Sequence, residues 1–282
     1  MISTMEPTRL LSTEEQATEV ALSMGAVQMP SVQHLLNGSL DALREAITRA
    51  SVEEEPTRWV VCHIILGSAL RLRSSCGTDD QRGRMYTEAI RAFGEALAVC
   101  CEQSNARRIR KQAMAGGAFS VQPAVCTGGP DGVQLVVDAQ TVPVIEGNEM
   151  LERAIRVFRD ACNKSNRRTA LRTWFIGMSN LGCALTLLGR RTAGGAGIAC
   201  LEEAVDVLQE ALRVPSLEGF AEERASTQIN LAETFQALAD QGMPAERLRY
   251  LEQAADWLAC ALGYYAPADY RWLLQLDRRA LV

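Results

Sequence analysis

The chain has 282 residues, 48% of them hydrophobic and 22% charged, which is enough apolar material for a large core. Its formal net charge of −5 excludes a general polyanion-binding protein. Residues 1–11 have no basic segment followed by an apolar run, and no window contains about 18 uninterrupted apolar residues, so we expect neither a secretory signal nor a membrane span.

The nine cysteines are scattered, odd in number and without a C-x-x-C pair. Several stand at apolar helix positions, and Cys162 takes a place where other repeats carry Leu or Ile. Free thiols behave as small core residues at such positions. The cysteine usage therefore predicts a reducing, cytoplasmic location.

Helical signals begin near the N-terminus. The run Ser-Thr-Glu-Glu at 12–15 is an N-cap signal for a helix that continues to about Met24, and Pro30 ends this region. A pattern of apolar and small residues over 36–47 then recurs fifty residues later over 86–97. This recurrence predicts that a repeat array begins in the first part of the chain.

The first complete hairpin is predicted from Pro56, which opens a helix. A polar loop over 74–84 leads to its partner helix at about 85–101. A further helix is predicted at about 105–121, because its residues align with the helix at 221–238 at an offset of 116. We expect a break between these last two helices.

The composition changes between residues 123 and 148. Two β-branched runs, 133–137 and 141–145, follow a Gly-Gly-Pro-Asp-Gly turn sequence. Ala89 and Ala154 are 65 residues apart, whereas the corresponding alanines of later units are 50 apart. These observations predict a fifteen-residue insertion that forms a short β-hairpin or ordered loop, with a disordered loop as the alternative.

Residues 171–263 carry one pattern twice, at a spacing of fifty residues. Apolar residues recur at i, i+3, i+4 and i+7, which predicts two amphipathic helices per copy and hence a helical hairpin. Small residues between the large ones let neighbouring helices approach closely. The paired positions are Leu181 and Leu231, Leu185 and Phe235, Leu201 and Leu251, Ala204 and Ala254, Leu208 and Leu258, and Ala211 and Ala261.

A last helix is predicted from Pro267 to about Leu281, where Trp272 and Leu273 can cover the exposed face of the final unit. The elements together predict one all-α domain over 1–282. Its expected architecture is a right-handed α-solenoid of about five helical hairpins that stack in chain order, with a C-terminal capping helix. The repeat alanines should face the core.

Hairpins with Leu-Gly in the first helix and a regular Ala pattern in the second resemble the tetratricopeptide repeat family. The residues that carry the resemblance are Leu181, Gly182, Leu185, Ala204, Leu208 and Ala211, with counterparts such as Leu66 and Gly67. The period is longer than the common one of about 34 residues, so the chain is similar to a long-period branch. The resemblance implies an interaction scaffold whose first helices line a concave groove for a peptide.

In peptide-binding members of that family, an Asn directly before the Leu-Gly pair often bonds the ligand backbone. The resemblance therefore implies that Asn180 and Asn230 contact a ligand. We expect Arg71, Arg110 and Gln236 to line the same groove and to attract acidic side chains or a C-terminal carboxylate. The alternative is that all five are ordinary solvated or internally bonded residues.

Signals for catalysis, metals and nucleic acid are weak. The two histidines, His34 and His63, are far apart in sequence, and no paired-ligand spacing is present. The glycine groups at 128–129 and 194–197 follow helices and do not fit a phosphate-binding loop. The basic run 107–111 lacks stacking aromatic residues. We expect no cofactor, no metal and no nucleic-acid ligand.

The leading hypothesis is a protein-interaction adaptor that holds a peptide or partner segment in its groove, with residues 123–148 as an extra contact or gate. The alternative is a repeat-built enzyme or small-molecule sensor in which that insertion closes over the groove. A third hypothesis is self-association into a homo-oligomer through an exposed apolar end of the array.

Overall fold

The computed structural model describes residues 40–49, 51–74, 77–114, 129–165, 170–214 and 221–266, with 103–114 and 129–131 as backbone only. These ranges contain nine helices and no strand, so the all-helical prediction is confirmed for them. The helices are α1 (40–49), α2 (Pro56–Arg73), α3 (Asp79–Met114), α4 (Gly129–Ala139), α5 (Val144–Lys164), α6 (Leu171–Arg191), α7 (Gly195–Leu212), α8 (Ala221–Gln241) and α9 (Pro244–Tyr265). The helices predicted at 12–24 and from Pro267 lie outside the described residues.

Eight of these helices form four hairpins: α2–α3, α4–α5, α6–α7 and α8–α9. Three hairpins share one contact, in which a glycine of the first helix packs against a large residue 26 positions later. A Cβ at the glycine would overlap the large side chain, so the absence of a side chain sets the close approach of the two helices. The pairs, with the distance from that Cβ, are Gly67 and Phe93 (2.5 Å), Gly132 and Phe158 (2.8 Å), and Gly182 and Leu208 (2.4 Å).

The prediction of a β-hairpin or loop insertion is wrong for the described residues 129–148. Residues 129–139 form α4, and α5 begins at Val144. Val133 and Val136 pack against the core of the neighbouring hairpins, and this helical packing overrides the strand preference of β-branched residues. Because Gly132 keeps its repeat position relative to α5, the fifteen extra residues precede it.

The predicted break between residues 101 and 105 is also wrong, because α3 is one helix of 36 residues. No Gly or Pro stands between Glu95 and Met114 to end it. The helix also begins earlier than expected, at Asp79. Asp79 and Asp80 lie in its first turn, where carboxylates are favourable beside the positive end of the helix dipole.

The hairpins do not pack in chain order throughout. Consecutive hairpins are neighbours from α4–α5 to α8–α9, but α3 of the first hairpin packs along α9 of the last one. One apolar cluster contains buried residues of both hairpins. Arg71 of α2 pairs with Asp256 of α9 across this contact, with Nη1 and Oδ1 3.2 Å apart. The first hairpin is therefore a neighbour of the last.

Two further features concern the chain as a whole. The repeat alanines Ala89, Ala154, Ala204 and Ala254 are all fully buried, as predicted. Within the described ranges, no helix combines the length and apolar character that crossing a membrane requires.

Candidate functional site

A cleft of about 730 Å³ lies between α3, α8 and α9. It forms where the first hairpin meets the last, because α3 and α8 rise on either side of α9. α3 contributes Thr87, Ile90, Arg91, Gly94, Glu95, Leu97, Ala98 and Cys101, α8 contributes Ile229, Glu233, Gln236 and Asp240, and α9 contributes Arg247, Leu251 and Leu258.

The cleft has an apolar floor and a charged rim. Ile90, Leu97, Leu251 and Leu258 are buried and belong to the shared core of the two hairpins. Most of the charged lining residues are on its exposed edge. An apolar surface framed by charges is the usual composition of a protein-binding site.

Gly94 lies at the middle of the α3 stripe that faces the cleft. A Cβ at this position would meet no atom within 4 Å, in contrast to Gly67, whose Cβ would overlap Phe93. A glycine inside a helix costs about 1 kcal/mol relative to alanine. Intramolecular packing explains that cost at Gly67 but leaves it unexplained at Gly94.

The two ends of the cleft are fixed by contacts between helices. A Cβ at Gly83 would lie 3.7 Å from Arg247 Nη1, which places the start of α3 beside the start of α9. At the other end, the Cys101 thiol and the Tyr265 hydroxyl are hydrogen-bonded. α3 and α9 therefore run parallel, from an Arg247 end to a Cys101 end.

The charged side chains of the cleft form no ion pair within the part of the chain that the structure describes. Glu95, Glu233 and Asp240 make no side-chain hydrogen bond or ion pair with any described residue, and neither do Arg91 and Arg247. Elsewhere on the surface, acids and arginines pair between helices, as Arg44 does with Glu88. These five side chains can therefore meet opposite charges on a ligand without breaking an internal bond.

The titratable groups near the cleft do not form a nucleophile. Partial burial raises the pKa of the Cys101 thiol, which keeps it protonated at neutral pH. His63 of α2 is buried, its Nδ1–H donates to the Trp59 carbonyl at 2.8 Å, and burial lowers its pKa. No group of three or more His, Cys, Asp or Glu side chains in the described part of the chain could hold a metal ion.

Of the four predicted site residues whose side chains the structure describes, only Gln236 lines the cleft. Arg71 is buried and pairs with Asp256, so it holds the two hairpins together. The side chain of Arg110 lies outside the described residues. Asn180 and Asn230 stand on α6 and α8, and neither lines the cleft.

The contact between α6 and α8 uses hydroxyl groups. Thr186 and Thr234 are joined at 2.7 Å, and Thr227 donates to Ser179 Oγ at 3.0 Å. Asn230 Nδ2 donates to the same Ser179 oxygen at 3.3 Å, so its amide takes part in this internal network. Asn180 differs, because its buried Nδ2 has no hydrogen-bond partner among the residues that the structure describes.

The predicted gate is not at this cleft. Within the described part of 123–148, α4 packs on α5 at the other side of the array, and none of these residues lines the cleft. The residue that the sequence interpretation missed is Gly94. The positions equivalent to it in the other hairpins are Arg159, Gln209 and Ala259. A glycine that interrupts the repeat register was the available signal.

Comparison of the chain with protein-family models, with curated proteins and with solved structures finds no match. The cleft geometry is therefore the basis for assigning a function.

Proposed function

We propose that the chain is a protein-interaction scaffold that binds a segment of a partner protein in the cleft between α3, α8 and α9. The four hairpins would form a solenoid of the long-period tetratricopeptide type, working in the cytoplasm. Its rigid helices would hold the lining side chains in place before the partner arrives, which reduces the entropy lost on binding.

The observation that carries this proposal is the open position at Gly94. Helix α3 loses stability there without gaining an internal contact. Glycine is commonly found where another molecule must approach a backbone closely. The surrounding apolar floor supplies the contact area that such an approach would bury.

We place the site in this cleft and not in the groove that the family resemblance implied. That groove would lie along the first helices of the hairpins, where Asn230 already donates to Ser179. In the cleft, by contrast, α3 and α9 are the second helices of their hairpins. The proposed contacts are thus the α3 stripe around Gly94, the α8 residues around Gln236, and the α9 floor.

The test is to fill the cleft and measure peptide binding. A phage-displayed library of random peptides is selected on the unmodified chain, and the enriched peptides are measured by isothermal titration calorimetry. Gly94→Leu places a side chain in the middle of the cleft and should weaken binding by at least about tenfold.

Gly263→Leu is the matched control. Gly263 also lies inside a helix with open space around its Cβ, but it does not line the cleft. This variant should bind the peptides like the unmodified chain. Equal binding by the Gly94 variant, or a selection that enriches no peptide, would refute the proposal.

A further inference from the structure

The surface of the cleft restricts the backbone conformation of what can bind there. Every lining residue lies within α3, α8 or α9, where the backbone N–H and C=O groups are already bonded within the helix. Among the described lining residues, Thr87 and Gln236 are the only neutral side chains with strong hydrogen-bonding groups. An extended peptide would leave most of its own backbone groups unpaired against this surface, at a cost in free energy.

A helix avoids that cost, because its backbone groups bond to one another. The length of the cleft fits such a ligand. From Ile229 to Asp240, α8 covers about 16 Å at 1.5 Å per residue, which equals about three helical turns. The grooved surface between parallel helices also suits a third helix that packs by its apolar stripe.

The charges define the polar side of that helix. Glu95 follows Gly94 on the α3 wall, and Glu233 lies on the α8 wall. Arg91 and Arg247 lie toward the Arg247 end, with Asp240 between the walls and the floor there. At the Cys101 end, the Tyr265 hydroxyl bonds the Cys101 thiol, and the Glu222 carboxylate lies close enough to act on both groups electrostatically.

We infer that the cleft binds a basic amphipathic α-helix of a partner protein, about three turns long, which packs a large apolar residue over Gly94 and places Lys or Arg side chains against Glu95 and Glu233. This inference rests on the proposed function and specifies its ligand. Acidic groups of the helix would lie toward Arg91 and Arg247.

The ligand class is tested with two displayed libraries. One is built on an Ala-rich helical scaffold and the other on peptides with a central proline, which cannot form a continuous helix. Peptides should be enriched from the helical library and should carry Lys or Arg beside a large apolar residue. Their far-UV circular dichroism should show added helix on binding.

Charge is tested on the protein. Glu95→Gln combined with Glu233→Gln should weaken binding of the selected peptides by about tenfold and reduce the salt dependence of Kd. Glu202→Gln combined with Asp206→Asn removes two exposed acids of α7, away from the cleft, and should leave Kd unchanged.

Several outcomes would overturn the inference. Preferential enrichment of proline peptides, or an unchanged Kd in the double Gln variant, would show that the ligand is not a basic helix. If Gly94→Leu still abolished binding in that case, the proposed peptide-binding cleft would be retained and the basic-helix ligand would be rejected. Self-association that Gly94→Leu abolishes would identify a second copy of the chain as the occupant of the cleft. Tighter peptide binding after removal of residues 267–282 would identify that segment of the same chain as the occupant.

Discussion

Replacing Gly182 by alanine should destabilise the chain, whereas the same change at Gly94 should stabilise it. Both residues lie inside helices, so each substitution gains about 1 kcal/mol of helix propensity. At Gly182 the new Cβ would lie 2.4 Å from Cγ of Leu208, which is fully buried. Overpacking of this kind costs about 1–3 kcal/mol.

The expected result is a difference of about 1–3 kcal/mol in unfolding free energy between the two variants, because the propensity gain is common to both. It is measured by urea unfolding followed by far-UV circular dichroism. The two variants are compared directly if their unfolding free energies depend on urea concentration with the same slope. A gain in stability at Gly182 equal to that at Gly94 would refute the close helix approach within the α6–α7 hairpin.

A double variant identifies the contact itself. Leu208→Ala alone should cost about 2–5 kcal/mol, because it leaves a cavity in the core. With alanine at 182, the added methyl group occupies part of that cavity and no longer meets the Leu208 branches. The combined loss should therefore fall short of the sum of the single losses by at least about 0.5 kcal/mol. Additive losses would show that the two side chains do not meet.

Arg71→Ala should weaken docking of the first hairpin on the last, and a double-mutant cycle with Asp256→Ala should give a coupling of about 1 kcal/mol, because Asp256 is partly exposed. Burial lowers the pKa of His63, so the unfolded chain binds more protons and stability should fall as pH drops below about 6.5. In urea titrations across that pH range, His63→Gln should reduce the pH dependence of the unfolding free energy. His34→Gln should leave the contribution of His63 to that pH dependence unchanged. Burial raises the pKa of Cys183 to about 11, so iodoacetamide should modify it at least about tenfold more slowly in the folded chain than in urea, as measured by peptide mass spectrometry.

The sequence predicted the hairpins of the second half well because their signal is local. The fifty-residue recurrence placed α6 to α9 correctly, and the alanines chosen as core positions, including Ala204 and Ala254, are fully buried. A period of 3.6 residues can be read from neighbouring letters alone, without knowledge of what covers the apolar face.

The errors arose where tertiary packing decides the outcome. The β-branched run 133–137 favours a strand by propensity, but Gly132 and Phe158 form the same close contact as Gly182 and Leu208. The unusual length of α3 was missed because a repeat alignment assigned a break where no helix-breaking residue stands.

The candidate site was the least predictable part. Its walls belong to α3 and α8, which face each other across α9 only because the first hairpin packs on α9. Nothing in the repeat pattern indicates this choice of neighbour, since any apolar helix face could receive α3. The irregular glycine at 94 was visible in the sequence, but its open surroundings become apparent only in three dimensions.

The docking of α3 on α9 has a consequence for how the protein is made. Arg71 and Asp256 are 185 positions apart, so the first hairpin leaves the ribosome long before its counterpart exists. Ordinary repeat arrays can fold by local propagation, but this contact must close a large loop, which slows its formation. A helix bound in the cleft would contact helices that are synthesised early and late, and it would therefore stabilise the docking of the first hairpin on the last.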